Sequence, residues 1–166
     1  MDGSPEDEVT RPPEERDLVS LARELNRLGV RYVVIGGLAI NRLGYVRATD
    51  DIDLLIARDL ANQRRVKEAL EILPDKAVRD LGEDDLSQWL VVRVNDEITV
   101  DLMTEACGIS FEAAAGGIET VVIDGVPISF AGADLMLKMK QGAREKDGID
   151  RRFLERLLSA KRRHEP

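Results

Sequence analysis

Three carboxylates, Asp50, Asp51 and Asp53, fall within four positions directly ahead of an apolar run, in the stretch VRATDDIDLLIA at residues 46–57. An aliphatic, β-branched segment of that length reads as a buried strand. Acids at the mouth of a buried strand are costly unless hydrogen bonds or a cation compensate them. Side chains two apart on a strand share a face, so Asp51 and Asp53 point the same way and Ile52 and Leu54 point into the opposite layer. Asp50 falls out of phase and reads as a solvated or capping residue. A chain built around this segment must form a sheet with one acidic corner.

The remaining periodicities supply that sheet. Leu18, Leu21, Ala22, Leu25 and Leu28 recur at helical spacing between Pro13 and Gly29, which predicts an amphipathic helix over 13–28. Tyr32 to Ile35 reads as a short buried strand, stopped by Gly36-Gly37 ahead of a short helix in LAINRL. Asp59 suits the cap of a helix in LANQRRVKEALEIL, with Pro74 beyond its end. WLVVRV and EITVDLM, separated by Asn95-Asp96, read as an antiparallel hairpin, and ETVVIDGVPISF as a second one turning at Asp124-Gly125. Two helices close the chain, one over Asp134 to Ala143 and one carrying Ile149, Phe153, Leu154, Leu157 and Leu158 on its apolar stripe. The expected fold class is α/β, a mixed β-sheet with hairpins covered by helices. It occupies residues 13–163 as one domain behind a flexible acidic tail at 1–12.

Composition narrows the setting. A length of 166 residues with 43% hydrophobic content suits one core rather than two. A net charge of −8 argues against a surface that binds nucleic acid throughout, although ten Lys/Arg face only four Asp/Glu between Lys138 and Arg163. That basic helix reads first as a solvated face and second as a platform for acceptor RNA. Cys107 is the single cysteine, so no intrachain disulfide forms; it is expected as a small buried hydrophobe, Trp89 as a core or hairpin residue, and His164 in a frayed end. Nothing resembles a secretory signal or membrane-spanning run, which points to the cytoplasm and no membrane partner.

Asp101 gives the acidic corner its third member. In EITVDLM it is the lone charge among apolar residues, on the face opposite Ile98, Val100 and Leu102. If its strand neighbours that of Asp53, about 5 Å separates them, and three carboxylates converge on one or two hard divalent cations. The competing reading is a buried acid paired with an arginine such as Arg93. Backbone that approaches closely at Gly36-Gly37 suits the anionic tail of a nucleoside triphosphate. A dinucleotide fold fits poorly because GGLAINRLG lacks G-x-G-x-x-G, and a calcium loop fails for want of a central glycine and a closing Glu. In phosphatases of the haloacid-dehalogenase type the apolar strand precedes the D-x-D pair, whereas here it follows.

VVIGGLAI, RATDDIDLLI and ITVDLM together resemble, in order and spacing, the signatures of the polymerase-β-like nucleotidyltransferase superfamily. The C-terminal stretch from ADLMLKMK onward is similar to that of small bacterial members related to abortive-infection type IV toxins. The resemblance runs from Tyr32 to Leu158 and implies the minimal nucleotidyltransferase fold. It implies further that Asp51, Asp53 and Asp101 bind Mg²⁺, two ions with Mn²⁺ as substitute, and that Gly36 and Gly37 hold the triphosphate. The reaction implied moves NMP, AMP first among the choices, from an NTP to an acceptor hydroxyl with release of pyrophosphate, Asp101 being the candidate proton acceptor. Arg47 and Thr49 are expected to orient the acids or touch phosphate. Lys138 and Lys140 lie on different helical faces, and Lys140 is favoured to reach the phosphates. The acceptor is a small hydroxylated molecule such as an aminoglycoside or lincosamide, a tRNA end or a protein side chain, and the short chain suggests that a homodimer or partner protein completes its pocket. The alternative is a noncatalytic nucleotide-binding or interaction module of a toxin–antitoxin-like pair.

Overall fold

A computed structural model describes residues 10–141 and 145–163 of the chain. Most of the expected tail, the expected end of the penultimate helix near Ala143 and the frayed position of His164 lie outside the described residues. Helix α1 (Glu15–Arg27) opens on a reciprocal capping box between Glu14 and Asp17 and is followed by Gly29 at φ +69°, a left-handed terminator. Strand β1 (Tyr32–Ile35) is buried throughout, and helix α2 (Gly36–Arg42) follows without a break, so the two glycines form its first turn. Strand β2 (Asp51–Ile56) precedes α3 (Leu60–Leu70), where the Asp59 carboxylate accepts from the Asn62 amide at 3.0 Å. A short α4 (Asp85–Gln88) leads into the antiparallel pair β3 (Val92–Asn95) and β4 (Thr99–Met103). A small hairpin, β5 (Glu105–Ala106) and β6 (Ile109–Ser110), and a single turn, α5 (Phe111–Ala114), lead into β7 (Ile118–Ile123) and β8 (Val126–Ala131). Helices α6 (Ala133–Met139) and α7 (Glu145–Arg163) complete the fold.

The six-stranded sheet runs β3-β4-β2-β1-β8-β7. The β2–β4 and β1–β8 contacts are parallel and the rest antiparallel, giving the mixed sheet that the two hairpins require. The β7–β8 turn is the predicted Asp124-Gly125 pair, both at positive φ (50° and 78°), as a two-residue hairpin loop demands. Ile52, Leu54, Ile56, Val100 and Leu102 are fully buried on the sheet face opposite the acids and anchor the register by hydrophobic burial. No helix among the described residues is long and apolar enough to cross a membrane.

Several local expectations are corrected. Trp89 is 62% exposed rather than a core residue, and Leu90 and Val91 are exposed beside it. The Trp89 amide still donates to Asp85 of α4 at 3.1 Å, so the ladder with β4 begins only at Val92. Cys107 is exposed, not buried, because it occupies the two-residue turn of the β5–β6 hairpin at φ +49° with Gly108 beside it. Helix α6 stops at Met139, which makes Lys140 its C-cap residue. On α7, Leu154 and Leu158 are buried, whereas Ile149 lies at the exposed edge of the stripe.

Candidate functional site

The sheet register builds the acidic corner. Ile35 pairs with Asp53, Asp53 with Asp101, and Asp101 with Arg93, so one row crosses four adjacent strands. Asp51 stands one step along β2 on the same face, opposite Thr99. Each of the three aspartates offers a carboxylate oxygen, and these oxygens lie within 4.8 Å of one another. At an effective dielectric of about 20, each such pair of charges repels by on the order of 3 kcal/mol. The protons respond accordingly. Burial, then the negative charges of Asp51 and Asp101, push Asp53 up to about 7. Burial and then Asp101 raise Asp51 as well, with Arg93 pulling the other way.

Arg93 is the cation in direct contact with the cluster. Its Nε and Nη2 donate to the two oxygens of Asp101, both at 2.9 Å, and Nη2 also reaches Asp51 Oδ2 at 3.3 Å. Asp101 thus stands with the other two acids and is at the same time paired with Arg93. One guanidinium offsets one charge of three, and hard oxygen donors at this spacing suit a divalent cation.

Gly36 and Gly37 are built into the same corner. Gly36 has φ +70°, and a Cβ there would overlap Asp53 Oδ2 and lie 2.8 Å from its Cγ. A Cβ at Gly37 would meet the Thr49 side chain at 3.0 Å. Thr49 Oγ1 in turn donates to the Asp51 carbonyl at 3.2 Å, so Thr49 wedges β2 against α2. The acids, both glycines, Leu90, Val91, Arg93 and Lys140 line a common cavity of about 590 Å³.

Two further sequence candidates stand differently. Lys140 lines the cavity, but its buried ammonium is held by Asp150 at 3.1 Å and Asp147 at 3.4 Å. Arg47 lines, with Thr49, a separate cavity of about 420 Å³, and its guanidinium is bonded to the fully buried Asp150 at 2.9 Å. The Asn41 side chain grips the Arg47 backbone twice, accepting from its N–H at 3.1 Å and donating to its carbonyl at 3.0 Å. Asp147, Asp150 and Asn41 escaped the sequence reading. The one available signal was that Asp147 and Asp150 stand three apart near the start of a helix that is basic on balance.

A family model described as nucleotidyl transferase of unknown function (DUF2204) matches residues 14–161. The chain belongs to this family. Its chemistry is therefore nucleotidyl transfer, and the superfamily to which the three motifs pointed is the right one. No curated protein matches the chain. Among solved structures, the lincosamide antibiotic adenylyltransferase LnuA, with lincomycin bound, superposes with TM-score 0.61 at 14% identity, covering 89% of this chain and 99% of that one. A nucleotidyltransferase candidate from Thermotoga maritima (TM1012) gives TM-score 0.58 at 19% identity, covering 92% and 99%. The antibiotic-resistance factor ANT(2'')-Ia gives TM-score 0.50 at 18% identity, covering 89% and 94%. At such identities the likeness is one of fold, and the fold is that of these nucleotidyltransferases.

Proposed function

We propose that this family member transfers NMP, AMP first among the choices, from a nucleoside triphosphate to an acceptor hydroxyl in a Mg²⁺-dependent reaction that releases pyrophosphate. The observation that carries the reading is the trio of carboxylates within 4.8 Å, shared between two parallel neighbouring strands and opening on one cavity with Gly36 and Gly37. Asp51, Asp53 and Asp101 would hold the cations, Mg²⁺ or Mn²⁺, and the raised proton affinities of Asp51 and Asp53 mark charge that a divalent ion relieves. Bound there, the ions supply a lowered pKa at the attacking hydroxyl and neutralise charge on the leaving pyrophosphate.

The protein's own groups supply position. Gly36, lacking a Cβ, leaves the Asp53 carboxylate room and exposes backbone to the triphosphate, while Thr49 fixes the entry of β2 through the Asp51 carbonyl. Arg47 has its guanidinium on the buried Asp150 and its backbone held by Asn41, which favours a part in holding the segment that enters β2 over contact with phosphate. The exposed Leu90 and Val91 form an apolar wall of the cavity, which favours a hydroxylated small molecule with an apolar body over a tRNA end or protein side chain. The lincosamide specificity of LnuA is in keeping with that choice, as its adenylyl transfer is with AMP. A homodimer or partner chain would close the acceptor pocket over this wall. A toxin–antitoxin module without turnover would not need three converging acids.

The test is transfer of label from [α-³²P]NTP with Mg²⁺ to components of a cell extract, run on separate size-exclusion fractions of the enzyme. Labelled acceptor is expected, reduced by about 10³-fold or more in the Asp51→Ala/Asp53→Ala double variant. Nucleotide bound with no label moved would favour the noncatalytic module. Full activity in the monomer fraction would remove the need for a second chain.

A further inference from the structure

The triphosphate brings several negative charges into a cavity already lined by four acids, Asp51, Asp53, Asp101 and Glu105, so the site needs a cation of its own beside any metal. Two basic side chains line the cavity among the described residues, Lys140 and Arg93. Lys140 is committed elsewhere: it is buried, with its ammonium between Asp150 and Asp147, and Asp150 is fully buried. Moving that ammonium to a phosphate would break its contacts with two buried carboxylates, one of them the Asp150 that also holds Arg47.

Arg93 is placed otherwise. It rises from the edge strand β3, directly across from Asp101, and its side chain is 57% exposed. Its partner Asp101 is only 7% exposed, so releasing the guanidinium is costly unless another cation takes that carboxylate. Its fork occupies both oxygens of Asp101 and touches Asp51, the oxygens that a divalent cation would need. Cation and guanidinium therefore compete for the same lone pairs. A displaced guanidinium remains tethered at the cavity wall, and its planar donor pair matches two phosphate oxygens as well as it matches a carboxylate.

We propose that Arg93 is the triphosphate-neutralising residue of this site and that it exchanges partners, holding Asp101 and Asp51 without a cation and turning to phosphate once a cation takes those carboxylates. The proposal rests on the carboxylate reading above and transfers to Arg93 the role that the family resemblance implied for Lys140.

The two halves of the exchange predict opposite signs in one variant. Calorimetric titrations with MnCl₂ alone, and with inorganic tripolyphosphate at saturating Mg²⁺, would be run on wild type, Arg93→Met and Arg93→Lys, with thermal melts of the metal-free proteins alongside. Arg93→Met is expected to bind Mn²⁺ about three- to tenfold more tightly, because its competitor is gone, and tripolyphosphate about tenfold more weakly. Arg93→Lys, which keeps the charge but not the fork, should fall between and guards against a misfolded methionine variant. Mn²⁺ affinity unchanged or weakened in folded variants would overturn the exchange, and unchanged tripolyphosphate affinity would overturn the phosphate role. If wild type bound no Mn²⁺ that an Asp51→Asn/Asp53→Asn variant abolishes, the carboxylate reading itself would fail and this proposal with it.

Discussion

Gly36 and Asp53 work as a pair, and each has a consequence that can be measured. Gly36 and Gly29 share nearly the same left-handed backbone, φ +70° and +69°, yet a Cβ at Gly29 meets nothing within 4 Å, whereas one at Gly36 runs into Asp53. Gly29→Ala should therefore cost only the backbone term, roughly 1–2 kcal/mol. Gly36→Ala should cost more in denaturant melts and should also abolish Mn²⁺ binding, because Asp53 must leave its place. For Asp53 itself the sign of the pH effect follows from its pKa, raised to about 7 chiefly by burial. A native state that holds a proton more tightly than the unfolded chain gains stability below the ordinary carboxylate range, about 4, and loses it as pH rises through about 7. Metal-free wild type should accordingly lose thermal stability relative to Asp53→Asn between about pH 5 and pH 8. Equal melting points across that range would count against the raised proton affinity.

At the scale of elements, the periodic signals carried far. The α1 helix with its glycine terminator, the buried β1, the Asp59 cap and the Asp124-Gly125 turn were all legible, since each rests on local chemistry. The shared face of Asp51 and Asp53 was legible too, because strand alternation leaves one choice. What local pattern could not supply was the adjacency of β2 and β4, which the site requires and which only the whole sheet determines. Nor could it show where a ladder starts: Trp89 to Val91 read as strand, and a helical turn keeps them out. The Lys140 reading failed to anticipate its partners because Asp147 and Asp150 come from the next helix. That link has its own test. Asp150 is buried and takes both Arg47 and Lys140, so it joins α7 to the end of α6 and to the segment entering β2. Asp150→Ala leaves two cations without it and should cost about 3–5 kcal/mol in urea unfolding, and Asp150→Asn should cost less.

For the molecule as a whole, the family match over residues 14–161 and the coverage of nearly the full length of LnuA mean that the same framework is present from end to end. At the border of the cavity lie the exposed Leu90 and Val91, with the exposed Trp89 preceding them in the chain. The parallel contact between β2 and β4 carries a kinetic consequence. Its aspartates face each other across a loop of about fifty residues, so closure is entropically slow and brings like charges together at the end. An ion that needs all three oxygens finds no perch until that step is finished. Divalent metal should therefore act as a brake on unravelling rather than a spur to renaturation. In stopped-flow circular dichroism, Mg²⁺ is expected to lower the unfolding rate while the refolding limb stays where it was.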